Sequence, residues 1–399
     1  MKICIINNIY PPYDRGGAEQ VVVKTVEGLL EAGQEVVVIT SSPEDKDLEL
    51  DGALKIYRKR PPNIFFYTEA HDHAWASRFL WHGIDTFNVF CANWVRDILI
   101  KEAPDVVHTH NLMGLSFLIP KIIRSLGLRH VHHVHDVQLV EPSAMIFKAK
   151  ESSWRYNGLP TRFYTWIMKG LMGSPSVVVS PSQFLKDFYG SRGFFSHSRF
   201  EIVRNPVTFP ISSEIRSEIK HEDRAFNFLY LGQIEYHKGV LLLMRAFVEA
   251  VKKYGLRADL HVVGDGSLLD TLKSLAASYS FVHIYGKKDR AAIPDLFRIM
   301  DMTVVPSLCY ENSPTVIFES FAFGVPVLAS DSEGIAELIE EGANGLTFEP
   351  GDQASLEEKI AYCVFNKKEI FEMGKKTRRS LKGLLEGEYI GTLMSLYTP

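Results

Sequence analysis

Ser307-Leu308-Cys309-Tyr310-Glu311-Asn312-Ser313-Pro314-Thr315-Val316-Ile317-Phe318-Glu319, running on to Phe323-Gly324-Val325-Pro326-Val327, is the stretch whose reading decides the fold. The apolar run Met302 to Val305 leads into it as a strand. Ser313, an N-cap type, and Pro314, a first-turn type, then open a helix. Val316, Ile317, Phe318, Phe321 and Phe323 are apolar nearly all round that helix, which predicts burial. A charged Glu319 inside it is costly unless a polar partner satisfies it. The helix start beside Glu311 offers free N–H groups and a favourable dipole end to an anion. A buried acid, a second acid at the mouth and an anion-binding helix end imply a phosphorylated, hydroxyl-rich ligand.

Outward from this point, short apolar runs alternate with helical patterns, the signature of parallel α/β sheets. In the first half the runs Lys2 to Asn7, Glu35 to Ile39, Leu54 to Arg58, Asp105 to His108, His130 to Val134 and Ser176 to Val179 read as strands. The loop from Ile9 to Gly17 feeds a helix bearing Val22, Val26, Leu29 and Leu30, which Gly33 ends. The rhythm restarts with strands at Phe226 to Leu231, Asp259 to Val263, Val282 to Tyr285 and Met302 to Val305, and a helix from Gly239. The polar stretch Ile211 to Arg224 reads as a linker. No repeat of 20–50 residues is visible.

At 399 residues the chain exceeds one ordinary core, and two domains follow. Hydrophobic residues at 46% and charged residues at 23% mark a globular protein. A net charge of -4 without a basic run or zinc framework argues against nucleic acid as partner. Four scattered cysteines without a CxxC pair suggest a reduced, intracellular chain. The N-terminus reads as a first strand rather than a signal peptide. No apolar stretch approaches the ~20 residues that span a bilayer. All five tryptophans and most of the histidines lie in the first half, whose charge is slightly positive against an acidic second half. Unlike surfaces on two nucleotide-style folds suggest unlike tasks, with ligands at strand carboxyl ends and a cleft between domains as the expected site.

Several short motifs recur in order along nearly the whole chain: Pro11-Pro12, Gly16-Gly17-Ala18-Glu19, Gly33-Gln34-Glu35-Val36 and Asp105-Val106-Val107-His108-Thr109-His110. His135-Asp136, Asn205-Pro206, Gly232 with Lys238-Gly239, Gly264-Asp265-Gly266, and Glu311 to Glu319 follow. Each is weak alone, but the order and spacing resemble the retaining glycosyltransferases of family 4 with the GT-B fold. That resemblance implies an α/β architecture of two facing Rossmann-like domains with parallel sheets and an inter-domain cleft. Residues 1–207 would form the acceptor-side domain and 208–383 the nucleotide-sugar domain, with a terminal helix over 384–399 packing back on the first. It also implies sugar transfer from a UDP- or GDP-sugar to an acceptor hydroxyl of a glycan or lipid-linked saccharide, with retained configuration and no cofactor or catalytic metal.

The resemblance assigns Glu311, Lys238 and His135 to catalysis. It assigns Gly16, Gly17, Gln233, Lys238, Gly264, Gly286, Asn312, Ser313, Pro314, Thr315 and Glu319 to the donor. Glu319 would accept from the ribose hydroxyls and Glu311 from a sugar hydroxyl. Lys238, entering a helix after a strand, would neutralise the departing diphosphate. Gly16-Gly17 is either a simple loop or a place where backbone approaches the donor closely. Two positions depart from the family pattern. Gln233 stands where the family often has arginine, which removes a cation, and Asn312-Ser313 replaces a Gly-Phe pair.

Other features have plainer readings. His108, His110, His130, His132 and His133 alternate on two neighbouring strands, and an ordinary strand role is preferred to zinc because no other ligand type joins them. Gly264-Asp265-Gly266 lacks the third glycine of a dinucleotide fingerprint, Leu269 standing in its place. Asp45 and Asp47 lie in a charged loop and read as solvated. The cations and rings at Lys55 to Arg60, Phe65 to Tyr67, Trp75, Phe79, Trp81 and Arg162 to Trp166 are read mostly as core, with a peripheral membrane face as the alternative. Rival readings of the whole are an epimerase or phosphorylase on the same fold, and a silent nucleotide-sugar-binding partner.

Overall fold

The computed structural model describes residues 1–13, 16–208 and 224–398, and of residues 47 and 70–72 the backbone alone. The predicted linker lies outside the described residues apart from Arg224. The chain divides into two compact units: residues 1–144, 152–205 and 386–399 form one, and residues 145–151 and 206–385 the other.

The first unit is built on an eight-stranded sheet of β1 (Lys2–Ile6), β2 (Glu35–Ser41), β3 (Lys46–Asp51), β4 (Leu54–Lys59), β5 (Val106–Thr109), β6 (Arg129–His133), β7 (Val177–Ser180) and β8 (Arg199–Ile202). Their order is β3-β4-β2-β1-β5-β6-β7-β8. Only β3 runs antiparallel, against β4. The loop expected around Asp45 and Asp47 is therefore corrected: Lys46–Asp51 is an edge strand, on which charge is tolerated because one side stays wet. Asp45 is exposed and accepts from the Arg60 N–H at 2.9 Å. The central strands β1, β2 after Glu35, and β5 are buried on both faces, as parallel strands between helix layers must be, with His108 and Thr109 of β5 buried among the apolar residues.

Over that sheet the helix Gly17–Glu31 lays Val21, Val22, Val26 and Leu29 into a core shared with Tyr389, Ile390, Leu393 and Leu396 of the terminal helix Glu386–Tyr397. The two helices pack closely at Gly28. A Cβ there would come within 2.5 Å of Ile390 Cγ1. Thr25 Oγ1 and the Tyr389 hydroxyl, 3.1 Å apart, join the same two helices by a hydrogen bond.

The second unit holds a fully parallel sheet of β9 (Phe226–Leu231), β10 (Ala258–Val263), β11 (Val282–Gly286), β12 (Met302–Val305), β13 (Val327–Ser330) and β14 (Gly345–Phe348). The order β11-β10-β9-β12-β13-β14 reverses direction between β9 and β12, the doubly wound arrangement. Phe228 and Phe247, centroids 5.6 Å apart and edge-on, anchor the helix Val240–Tyr254 to the sheet. Burying each such ring stabilises by roughly 1.5–3 kcal/mol.

Residues 145–151, placed with the first domain by sequence, join the second unit through backbone pairing. The Lys148 N–H donates to Leu308 O at 3.1 Å and the Tyr310 N–H to Ile146 O at 2.8 Å. Phe147 and Cys309 form the antiparallel bridge between them.

Candidate active site

In the second unit the loops after β9, β10 and β11 are laced by backbone. Gly264 N–H donates to Gly286 O at 3.0 Å, and Ile234 N–H to Asp265 O at 2.8 Å. Gly264 has φ 151°, and a Cβ there would sit 1.8 Å from Gly232 O, so glycine is required by the packing of two loops. Gln233 is exposed, and its carbonyl accepts from the Tyr230 hydroxyl at 2.5 Å. Gly286 ends β11 with φ 71°.

After β9 the chain makes a 3₁₀ turn, Tyr236–Lys238, and Gly239 at φ 73° redirects it into the helix. Its missing Cβ would lie 1.8 Å from Pro306 O, on the loop after β12. This contact brings the two loops of the reversal point together, and the Leu308 N–H donates to His237 O at 2.9 Å beside it. Lys238 Nζ thereby reaches Glu311 Oε1 at 2.5 Å, and Ser307 Oγ donates to the same oxygen at 3.0 Å. Burial works against the Lys238 charge, but the Glu311 carboxylate outweighs it and holds the ammonium pKa above its ordinary value.

The following helix spans Thr315–Ala322, with Pro314 rather than Ser313 at the N-cap and no side-chain cap. The expected Ser313 cap is thus corrected: Pro314 at ψ 120° is still extended, so the first turn starts one residue later. Asn312 and Ser313 are buried, while Pro314 and Thr315 are half-buried. A helix start leaves its first N–H groups without acceptors inside the helix, the feature an anion uses, though here the Ile317 N–H is taken by Pro314 O at 3.1 Å. Gly334 packs on this bend: its N–H donates to Glu311 O at 3.1 Å, and a Cβ would approach Asn312 O to 2.0 Å.

Glu319 is buried, as the sequence requires, and protein groups satisfy it. Its Oε1 accepts from Thr208 Oγ1 at 2.6 Å and from Arg290 Nη2 at 3.0 Å. Sequence reasoning missed both partners. A buried acid signals that a cation exists, but not which one. The segment 145–151 was missed as well. Lys148 pairs with Glu333 at 2.6 Å, and Glu151 accepts from the Tyr310 hydroxyl at 2.7 Å, so two ties brace the residues flanking Glu311.

In the first unit Gly16 is the N-cap of the helix Gly17–Glu31 with φ -171°, ordinary extended backbone, so no left-handed conformation explains the glycine. His135 follows β6. Its Nε2 lies 2.9 Å from His110 Nδ1, and its ring stacks on His133 with centroids 4.4 Å apart. Burial drives the His135 pKa down to about 4, so the ring is neutral at physiological pH. Burial raises Asp136 to about 6 against the Gln138 N–H bond that favours its charge. The structure gathers His108, His110 and His133 at the ends of β5 and β6, with one nitrogen of each within 4.8 Å of the others.

The described residues thus bring Lys238, Ser307 and Glu311 together at the carboxyl ends of β9 and β12. They lace Gly264 and Gly286 beside Gln233, and place Glu319 with Arg290 instead of with Lys238. Among the described residues no helix is long and apolar enough to cross a membrane.

Comparison with known proteins gives a consistent result. The family described as Glycosyltransferase Family 4 matches residues 15–209, and that described as Glycosyl transferases group 1 matches residues 212–380. The chain is 27% identical over 343 residues to a 42.6 kDa protein in the cps region of Klebsiella pneumoniae, covering 85% of this chain and 87% of that one. It is 29% identical over 275 residues to lipopolysaccharide 1,2-N-acetylglucosaminetransferase of Salmonella typhimurium, covering 63% and 61%. Sucrose-phosphate synthase from Thermosynechococcus elongatus shares the fold with TM-score 0.76 at 18% identity, over 99% of this chain and 97% of that one. HepE of Anabaena, solved in complex with UDP, gives 0.69 at 16% identity over 99% of each.

Proposed function

The chain belongs to the GT-B glycosyltransferases, its halves matching the family 4 and group 1 modules, and on that premise we propose that it moves a sugar from a nucleoside-diphosphate sugar to an acceptor hydroxyl with retained configuration. The observation that carries this reading is the Lys238–Glu311 pair at the reversal point of the second sheet. It sets a cation from the loop after β9 against an acid and a helix start from the loop after β12, the chemistry a sugar diphosphate presents in reverse.

In this reading the diphosphate binds at the Thr315–Ala322 helix start and Lys238, while Glu311 accepts from a sugar hydroxyl. Glu319 accepts from the ribose hydroxyls beside Arg290 and Thr208. Backbone at Gly264, Gly286 and Gln233 lines the donor, and Gly16, Gly17 and His135 complete the set. The bond from C1 to the diphosphate oxygen breaks as the acceptor oxygen bonds C1 from the same face. The leaving phosphate oxygen takes the acceptor's proton, so no metal and no protein nucleophile is needed. UDP- and GDP-sugars are the donors proposed. Support for UDP comes from HepE, whose solved complexes hold UDP and UDP-glucose. A glycan or lipid-linked acceptor fits the resemblance to the lipopolysaccharide enzyme.

The enzyme is further proposed to work at the inner face of the cell membrane. Trp75, Phe79, Trp154, Leu159, Phe163 and Trp166 are exposed in the first unit, with Arg78, Arg155 and Arg162 exposed among them. The core reading holds for Phe65, Phe66 and Trp81 but not for Trp75, Phe79, Phe163 and Trp166. Apolar rings interleaved with cations suit an anionic interface.

Thermal unfolding with UDP-, GDP- and ADP-sugars tests the donor reading, because a ligand selective for the folded state raises Tm. Stabilisation by one donor class, followed by transfer to a glycan acceptor with unchanged anomeric configuration by NMR, is the expected result. An inverted product or isomerised donor would overturn it.

A further inference from the structure

We propose that the histidines His108, His110 and His133 form a structural binding site for one zinc ion inside the first unit.

The register of the sheet makes the cluster. His108 pairs in parallel with Val131, and Thr109 with His132, so the side chains at the ends of β5 and β6 share the same level. His108, His110 and His133 are all buried, with at most 1% exposure. One nitrogen from each lies within 4.8 Å of the other two. Zinc–imidazole bonds of about 2.0–2.1 Å place tetrahedral ligand atoms roughly 3.4 Å apart, so closure needs shifts of about an ångström.

Two features that His130 and His261 also show singly gain weight here because three rings converge. First, each ring has a buried nitrogen with no hydrogen-bond partner: Nε2 of His108, Nε2 of His110, and both nitrogens of His133. Buried polar atoms in native cores are almost always partnered, and four adjacent exceptions call for a shared explanation. Second, the opposite nitrogens of two rings are held. His108 Nδ1 lies 2.8 Å from the Tyr397 hydroxyl, and His110 Nδ1 lies 2.9 Å from His135 Nε2. Metal-binding imidazoles characteristically engage their second nitrogen in this way, which fixes the ring and leaves the other lone pair for the ion.

The donor set selects the ion. Three imidazoles without a carboxylate among them suit zinc and its neighbours in the transition series, not calcium or magnesium, which require oxygen ligands. A water completes four-coordination. Through Tyr397 the site also ties the terminal helix to β5.

The test uses the untagged full chain. Zinc close to one equivalent is expected by elemental analysis. After chelator treatment, Co²⁺ titration should produce visible ligand-field bands that saturate at one equivalent and vanish on adding Zn²⁺, while Zn²⁺ raises Tm. His133→Gln should abolish the bands. Should that variant fold poorly, Tyr397→Phe keeps all three ligands and loses only the bond orienting His108, so Zn²⁺ affinity should fall about tenfold or more. Folded, stripped protein that gives no Co²⁺ bands and no Tm shift would overturn the site. So would undiminished Co²⁺ uptake by folded His133→Gln, which would place the ion elsewhere.

Discussion

Lys238 donates to the carboxylate of Glu311 across 2.5 Å, so the cation assigned to the diphosphate and the acid assigned to the sugar hold each other in the free enzyme. Ligand binding must loosen or share that pair, because the ammonium cannot give its full charge to a phosphate while Glu311 keeps it. The two residues therefore act as a unit, and their substitutions are coupled.

Lys238→Ala is expected to lower turnover at least about a hundredfold, the scale for removing a preorganised charge from a developing anion. Lys238→Ala combined with Glu311→Gln should cost less than the two single changes summed, by about 0.5–3 kcal/mol in a double-mutant cycle of kcat/KM. Near-normal turnover of the alanine variant would remove Lys238 from the mechanism.

Glu319→Gln should weaken nucleotide binding by about 1–3 kcal/mol, read by calorimetry, from the loss of a charge-assisted acceptor. Arg290 would then face a neutral amide, so a small loss of thermal stability should accompany it. Unchanged donor affinity would leave Glu319 as a purely structural acid satisfied by Arg290 and Thr208.

Gly239→Ala should destabilise the second unit clearly in denaturant unfolding. Left-handed strain alone costs about 1–2 kcal/mol for a residue with a Cβ, and the collision with Pro306 O adds to it. A variant as stable as the parent would show that the two loops can separate freely.

Asp85 gives a pH dependence. Its Oδ1 accepts from the Gly114 N–H at 2.9 Å, while Oδ2 is buried without a partner. Burial raises the pKa to about 8, opposed only in part by the Gly114 bond. The folded state thus holds a proton that the unfolded chain releases near the ordinary aspartate value of 3.8. The stability from this group is complete below the unfolded pKa and is lost as pH rises through about 8. Asp85→Asn should flatten that decline in Tm. An equally steep decline in the variant would assign it to other groups.

Replacing Trp75, Phe79, Phe163 and Trp166 together by serine should reduce co-flotation with anionic vesicles at least about tenfold. Donor-induced stabilisation should be unaffected. Absence of flotation by the parent protein would dispose of the membrane proposal.

The sequence exposed those parts of the fold whose physics is local. Val36-Val37-Val38-Ile39 can only be a doubly buried strand, and Glu319 amid Ile317, Phe318 and Phe321 had to find a partner. Edge strands escaped because their burial is partial: β3 is charged along its length, and β8 exposes Arg199. At the site, Thr208 and Arg290 reach Glu319 from 111 and 29 residues away, distances over which sequence pattern carries no pairing information. The histidine alternation was visible, but the meeting of three nitrogens depends on a parallel register that only the folded sheet defines.

Because Tyr389, Leu393 and Leu396 fill a core begun by Val22 and Val26, the first unit is finished only after residues 206–385 of the second have been synthesised. At about 5–20 residues per second, the intervening half delays that closure by on the order of tens of seconds. Through this interval the nascent chain carries an open apolar trough over its first helix. Chaperone engagement during synthesis should fall on that trough, and release should follow the emergence of Glu386–Tyr397.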